Sequence, residues 1–343
     1  MCSLVAVRSL RSRPNPKTFR PLIRSAAAWI LVAFGLFQAS LSNVFAETTA
    51  NAEAQAPFLG ARTAIYYNPE RSGEGVFVEL LGGGRALVYF FSYGPRYDYA
   101  TLAPLQARQT WLVGLGTVTS DGTHIQGDLV MPTGGRFGAA FNPHEIEYLD
   151  FGMFSLRFPT CGTSEVRGVL DIIPFGIYGE PITSFEPLEF MENYVQLTQV
   201  LDCETGYAKA SGVAFTGSWY DASRPGEGLV IEVLQDNRTI VQWMTYDNDG
   251  GQMWVQGVGV LDVATNDLRV DNMRIFKGTY WGSGFDPAEV TSSHFGSLTI
   301  HFFGCNWGQM TYESPSFGSG VHNLTLLTTL THINDSGRGC WDY

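Results

Sequence analysis

From residue 64 onward, apolar runs of four to ten residues alternate with short glycine-rich or polar breaks. Gly75 to Leu81 and Arg85 to Tyr93 are β-branched or aromatic stretches divided by Gly82, Gly83 and Gly84, a pattern that predicts a β-hairpin. Gly228 to Leu234 and Arg238 to Tyr246, divided by Gln235, Asp236 and Asn237, repeat that form. Further strands are expected at Ala64 to Tyr67, Trp111 to Val118, His124 to Met131, Arg136 to Phe141, Phe151 to Phe158, Val166 to Ile173, Tyr194 to Leu201 and Leu324 to His332. No segment keeps a 3.6-residue apolar period for three turns, so the expected class is all-β.

The pattern occurs twice. Tyr66-Tyr67-Asn68-Pro69-Glu70-Arg71-Ser72-Gly73-Glu74-Gly75 returns 153 residues later as Trp219-Tyr220-Asp221-Ala222-Ser223-Arg224-Pro225-Gly226-Glu227-Gly228. Phe141-Asn142-Pro143, Phe151-Gly152 and Cys161 likewise answer to Phe285-Asp286-Pro287, Phe295-Gly296 and Cys305. Self-similarity on this scale defines two modules, at residues 59–203 and 212–343, with the polar segment 204–211 between them. Four cysteines, Cys161, Cys203, Cys305 and Cys340, fall at matching places in the copies. The duplication selects Cys161–Cys203 and Cys305–Cys340 from the three possible connectivities. Each bridge would tie a module to its own last strand.

Eight or nine antiparallel strands per copy fit two tandem up-and-down β-barrels of the calycin kind, with β-sandwiches as the alternative. Short turns between successive strands favour barrels. So do Gly114 and Gly116, matched by Gly257 and Gly259, since glycine inside a strand often marks a barrel bend. Gly217-Ser218-Trp219 is similar to the G-x-W opening of lipocalin-type barrels, whereas the first copy has Ala64-Ile65-Tyr66. Over residues 60–343 the chain resembles an uncharacterised repeat of secreted bacterial proteins that opens with W-Y-[ND]-P-x-R-x-G-E-G and closes with a cysteine. It departs from that motif at Tyr66 and at Ala222. The resemblance implies no activity.

Export is expected from the first 46 residues. Arg8, Arg11, Arg13, Lys17, Arg20 and Arg24 precede an apolar run, Ala26 to Phe37, and then Val44-Phe45-Ala46. That is the order of a cleavable signal peptide, and the run is too short for a retained span. Without the leader, 15 Lys and Arg face 33 Asp and Glu, a net charge of −18. Such a charge disfavours nucleic acid and anionic membrane surfaces as partners.

The chemistry-bearing residues repeat with the fold. Arg71 and Arg224, Glu74 and Glu227, Glu79 and Glu232, and Arg85 and Arg238 occupy equivalent positions. Glu79 and Glu232 each interrupt an apolar strand, so a partner is required if they are buried, and a repeated arginine is the natural one. Aromatics correspond as well: Tyr67 with Tyr220, Tyr93 with Tyr246, Trp111 with Trp254 and Phe137 with Trp281. They suit a β core or a stacking platform for sugars. The six histidines show no metal-ligand spacing, and neither a nucleophile elbow nor a phosphate loop occurs. Asp247-Asn248-Asp249-Gly250 has the head of a calcium loop but lacks its distal glutamate, which leaves a hairpin turn. No metal or cofactor is implied.

Binding is sought where the copies differ. The first inserts ten residues after Tyr93, where Arg96, Tyr97 and Tyr99 resemble a recognition loop. It also carries an aromatic and proline-rich segment from Pro174 to Asn193. The reading is a secreted, non-enzymatic binding or adhesion module for a small molecule, glycan or surface protein. Candidate ligand contacts are Tyr93, Arg96, Tyr97, Tyr99, Glu79 and Glu232. The alternative is an extracytoplasmic hydrolase using Glu and Arg residues of one copy, Glu74 with Glu79 being the first pair to consider.

Overall fold

The computed structural model describes residues 60–94, 108–158, 170–174, 188–190, 195–202, 206–278, 280 and 284–327. All of them lie in one compact unit, Asn51–Tyr343. The first copy contributes β1 (Ala64–Tyr67), β2 (Gly75–Leu81), β3 (Arg85–Tyr93), β4 (Gln109–Val118), β5 (His124–Thr133), β6 (Glu147–Arg157), β7 (Leu170–Pro174), β8 (Leu188–Phe190) and β9 (Val195–Gln196). The second contributes β10 (Gly217–Tyr220), β11 (Gly228–Val233), β12 (Arg238–Tyr246), β13 (Gln252–Asp262), β14 (Asp267–Lys277), β15 (Thr291–Phe302), β16 (Trp307–Ser314) and β17 (Gly318–Leu326).

Strands β10 to β17 close into an eight-stranded antiparallel barrel, β17 returning to β10 through Trp219↔Leu326 and Tyr220↔Thr325. The first copy forms a nine-stranded sheet in the order β8-β7-β6-β5-β4-β3-β2-β1-β9. Period-two alternation sorts the side chains of each strand. In β2, Val76, Val78 and Leu80 join a core with Phe90, Leu129 and Phe154. The opposite face of β2 presents Phe77 to a different core. Inside the barrel, Trp219, Ile231, Val241, Trp243, Phe295, Phe302 and their neighbours fill the lumen. Glycine makes room for such side chains: a Cβ on Gly114 would lie 2.8 Å from the Phe154 ring. Gly257 and Gly259 sit where the β13–β14 register shifts, between Gln256 and Val260.

Sequence and structure part at 136–141, which is not a strand. Gly138, at φ +61°, opens a 3-10 turn over Gly138–Ala140, and Phe137 leaves its own copy altogether. Its ring enters the barrel of the second copy, 5.2 Å from Trp243, 5.4 Å from Tyr312 and 5.0 Å from Phe317. Apolar alternation at Phe137 and Phe141 imitates a strand, yet the left-handed glycine redirects the chain. β9 ends at Gln196, short of the expected Leu201, and β17 begins at Gly318, six residues before the expected Leu324, and ends at Leu326, with 328–332 outside the described residues. The leader, Trp281, Cys161, Cys203 and Cys340 lie outside the described residues, and so do both expected bridges.

The copies share a third core. Ile65, Phe77, Phe91, Tyr93, Trp111 and Phe141 of the first pack with Val230, Ile240, Met244, Tyr246, Trp254 and Phe285 of the second. Phe137→Ala should lower the stability of the whole chain by ~3–5 kcal/mol, the usual loss for a buried phenylalanine. Equilibrium denaturation followed by tryptophan fluorescence checks this, and an unchanged midpoint would mean the ring is not part of the core.

Candidate functional site

The repeated G-E-G segment builds the same network in each copy. Asn68 and Asp221 accept backbone N–H bonds from the residue two places on, at 2.9 Å each, and so shape the turn that follows the first strand. Arg71 Nε then donates to Glu74 Oε1 at 2.7 Å, while Ser92 Oγ donates to Glu74 Oε2 at 2.6 Å. In the second copy Arg224 Nε donates to Glu227 Oε1, and Thr245 Oγ1 donates to Glu227 Oε2 at 2.6 Å. Each arginine also crosses to the other copy. The Arg71 guanidinium lies 4.7 Å over the Phe285 ring, and that of Arg224 lies 4.3 Å over Phe141. Burial still pushes Glu74 and Glu227 above the usual carboxylate range, with the arginine charge acting against it.

Glu79 and Glu232 are both fully buried, but among the described residues neither is paired with an arginine. Their strand face turns away from the barrel lumen and toward the other copy. Glu79 Oε2 accepts from the backbone N–H of Ser218 at 3.0 Å and from its hydroxyl. Glu232 Oε2 accepts from the backbone N–H of Ile65. Ile65 and Ser218 are equivalent residues of β1 and β10, so the two carboxylates make reciprocal bonds across a local two-fold relation. The expected arginine partners fail because Arg71 and Arg224 are held three residues away by Glu74 and Glu227. Burial raises Glu79 to about 7 and Glu232 to about 8, with the hydrogen bonds from Ser218 and Ile65 opposing the rise.

The same two-fold relation runs through the rest of the interface. Gln109 Nε2 donates to the Trp254 carbonyl at 2.7 Å, and Gln252 Nε2 donates to that of Trp111 at 2.6 Å. Trp111 Nε1 donates to Thr245 O and Trp254 Nε1 to Ser92 O, at 3.2 and 3.3 Å. Gly135 lies against the Tyr246 ring and Gly278 against that of Tyr93; a Cβ at either would come within 2.3 Å.

Tyr93 is therefore a buried interface residue, 6.2 Å from Phe285 in a stacked arrangement, and not the start of an exposed recognition surface. Arg96, Tyr97 and Tyr99 lie outside the described residues. Arg238 pairs with the exposed Asp236 at 2.7 Å on the β11–β12 turn, and Arg85 opens β3. Arg238 thus sits on an exposed turn and not with the buried carboxylates. Asp247 Oδ1 accepts from Asp249 N–H and Gly251 N–H at 2.9 and 2.7 Å, as a hairpin turn requires.

Two features carry no repeat signal in the sequence. His322 is buried beside Trp243, with Nδ1 3.9 Å from Glu227 Oε1; burial and Arg224 lower it to about 4. On the outside of the barrel, Phe303 and Trp307 stack at 4.5 Å and remain 43% and 53% exposed. His301 meets the Phe303 ring edge-on at 4.6 Å. The strand pairs His301↔Gln309, Thr299↔Thr311 and Ser297↔Glu313 continue from there along the outer face of β15 and β16. The strip ends in an open groove of about 540 Å³ bordered by Asp271, His294, Ser297, Glu313 and Ser319. From Phe303 to Ser297 it runs roughly 20 Å at strand rise. The signal available in the sequence was Phe302-Phe303 and Trp307 bracketing three residues, Gly304 to Asn306, which reads equally well as core.

Among the described residues, no group of three or more His, Cys, Asp or Glu side chains is placed to hold a metal ion. No protein-family model matches the chain, and no curated protein matches it either.

The buried carboxyls give folding a specific pH dependence. With folded pKa values above the unfolded ones, the native state holds protons that the unfolded chain releases. Stability from these groups is then present below about pH 4.5 and is lost as pH rises toward 7 and 8. Each contributes a slope of about 1.4 kcal/mol per pH unit within that window. E79Q/E232Q, which mimics the protonated pair, should remain folded and flatten that part of the slope in urea titrations between pH 5 and 8. A slope identical to wild type would show that both groups ionise in the folded state as freely as in water.

Proposed function

We propose that the protein is an exported, non-enzymatic module of two tandem β-barrels that binds a glycan on its outer surface. A second barrel in the first copy is supported by strand pairing. β9 meets β1 at Tyr66↔Gln196 as β17 meets β10 at Trp219↔Leu326, and β8 and β9 stand on opposite edges of one sheet only a few residues apart in sequence. Export is supported by the basic, apolar, small-residue order of the leader, and by the resemblance of the repeat to one of secreted bacterial proteins.

The observation that carries the binding reading is the exposed Phe303–Trp307 pair at the head of a polar strip. The second barrel's lumen is filled by its own side chains and by Phe137, so a ligand is received outside it. Adjacent exposed rings rimmed by polar residues mark a binding surface where a single exposed side chain does not. A sugar ring matches them with C–H groups, while its hydroxyls match the amides and hydroxyls of Gln309, Asn323, Thr299 and Thr311. Gln309 Nε2 already donates to Asn323 Oδ1 at 3.1 Å, which holds both amides in the strip. With a formal charge of −12 over the whole chain, a neutral glycan is preferred to an acidic one.

The hydrolase alternative has one supporting feature, the two carboxylates of the groove, Asp271 and Glu313, with His294 beside them. They, and not Glu74 with Glu79, are the acids an extended glycan on this strip would reach.

Affinity electrophoresis through gels containing mixed-linkage glucan, xylan or galactomannan tests the reading. One polysaccharide should retard the wild type, and W307A should lose at least ten-fold in affinity, about 1.4 kcal/mol, with its melting temperature unchanged. Retention of W307A equal to wild type would remove the platform from the binding surface. Release of reducing sugar that stops with E313Q would establish the hydrolase instead.

A further inference from the structure

The duplication supplies an internal control for each position, and one corner of the first copy differs from its counterpart in a single chemical direction. In the second copy Phe215, just before β10, stacks on Phe302 at 4.2 Å and 17°. Trp219 lies 5.0 Å from the same ring, its indole N–H donating to the Phe215 carbonyl at 2.9 Å. Leu326 of β17, paired with Trp219, completes an apolar corner.

The first copy keeps the backbone plan and changes the side chains. Arg62 stands where Phe215 does, with its guanidinium 5.2 Å from the Phe158 ring, the equivalent of Phe302. Tyr66 replaces Trp219, and its hydroxyl donates to the Arg62 carbonyl at 2.7 Å, the counterpart of the indole bond. Gln196 replaces Leu326 and donates to the Ala61 carbonyl at 2.7 Å. Arg for Phe and Gln for Leu add hydrogen-bonding groups, Tyr for Trp exchanges an indole N–H for a hydroxyl, and Tyr for Trp and Gln for Leu also remove volume.

The result, among the described residues, is a charge without a hydrogen-bonded mate. Arg62 is 5% exposed, and its Nε and Nη1 have no hydrogen-bond partner there; Gln196 Oε1 has none either. Asp121 acts on Arg62 through its charge, but its Oδ1 is engaged by Thr119 and by Thr123. Burial lowers the Arg62 pKa. A buried guanidinium with unmet N–H donors is strongly unfavourable unless an anion meets it. The second copy proves that this fold closes the same corner with phenylalanine.

We infer that the corner formed by Arg62, Tyr66, Phe158 and Gln196 is a binding site for a small carboxylate-like anion, peculiar to the first copy and separate from the outer strip. The guanidinium supplies the charge and donors. Phe158 backs the guanidinium.

The test is thermal unfolding of the full mature chain with formate, acetate or nitrate exchanged for chloride at fixed ionic strength, from about 1 to about 100 mM. The wild type should gain several degrees in a saturable manner with at least one of these anions. R62F/Q196L, which reproduces the apolar corner of the second copy and is therefore expected to fold, should show no gain. Equal gains in both proteins would make the effect non-specific. No gain in wild type together with a lower melting temperature for R62F would mean that a carboxylate of the chain itself neutralises Arg62. No gain with a higher melting temperature for R62F would mean an uncompensated charge. Each of these three results overturns the soluble-anion site.

Discussion

Two carboxylates hold the molecule in register. Glu79 and Glu232 project from the outer faces of β2 and β11 and end on backbone N–H groups of β10 and β1. A side chain that terminates on a main-chain donor fixes the partner strand's position, because the donor cannot swing to follow it. The aromatic contacts then have one arrangement available. Trp111 and Trp254, Tyr93 and Tyr246, and the two arginines over Phe141 and Phe285 all repeat about the same axis. Two reciprocal bonds thus determine where two cores meet in a third.

Much of the strand framework was legible because β-branched and aromatic runs broken by glycine have few other solutions, and the same runs recur in the second half of the chain. The Arg71–Glu74 and Arg224–Glu227 pairs were also within reach, being three residues apart in a repeated motif. The destination of Glu79 was not. Its partner, Ser218, lies 139 residues away and donates through its backbone N–H as well as its hydroxyl, a contact that no local residue pattern encodes. The same limit explains Phe137: its sequence neighbours describe a strand, whereas its ring belongs to the other copy's lumen. Polar residues that cross between copies are invisible to reasoning that treats each copy as self-contained.

The two copies divide their residues into what both need and what only one has. Both need the G-E-G network, the strand glutamates and the glutamine–tryptophan bonds, and these are fully committed to holding the halves together. The aromatic strip belongs to the second copy, since Phe303 and His301 correspond to Pro159 and Arg157 in the first. The Arg62 corner belongs to the first. Specialised chemistry therefore sits away from the axis, where a change in one half leaves the reciprocal contacts intact.

The short connection between the halves has a consequence for dilute surroundings. β9 ends at Gln196 and β10 begins at Gly217, so one chain supplies both sides of an interface that buries two ionisable groups. Were those sides separate polypeptides, their association would depend on concentration. Linking them replaces a bimolecular equilibrium by an intramolecular one, with an effective concentration on the order of millimolar for a short connection. A chain spread thinly in solution keeps its paired form without any second molecule to hold it.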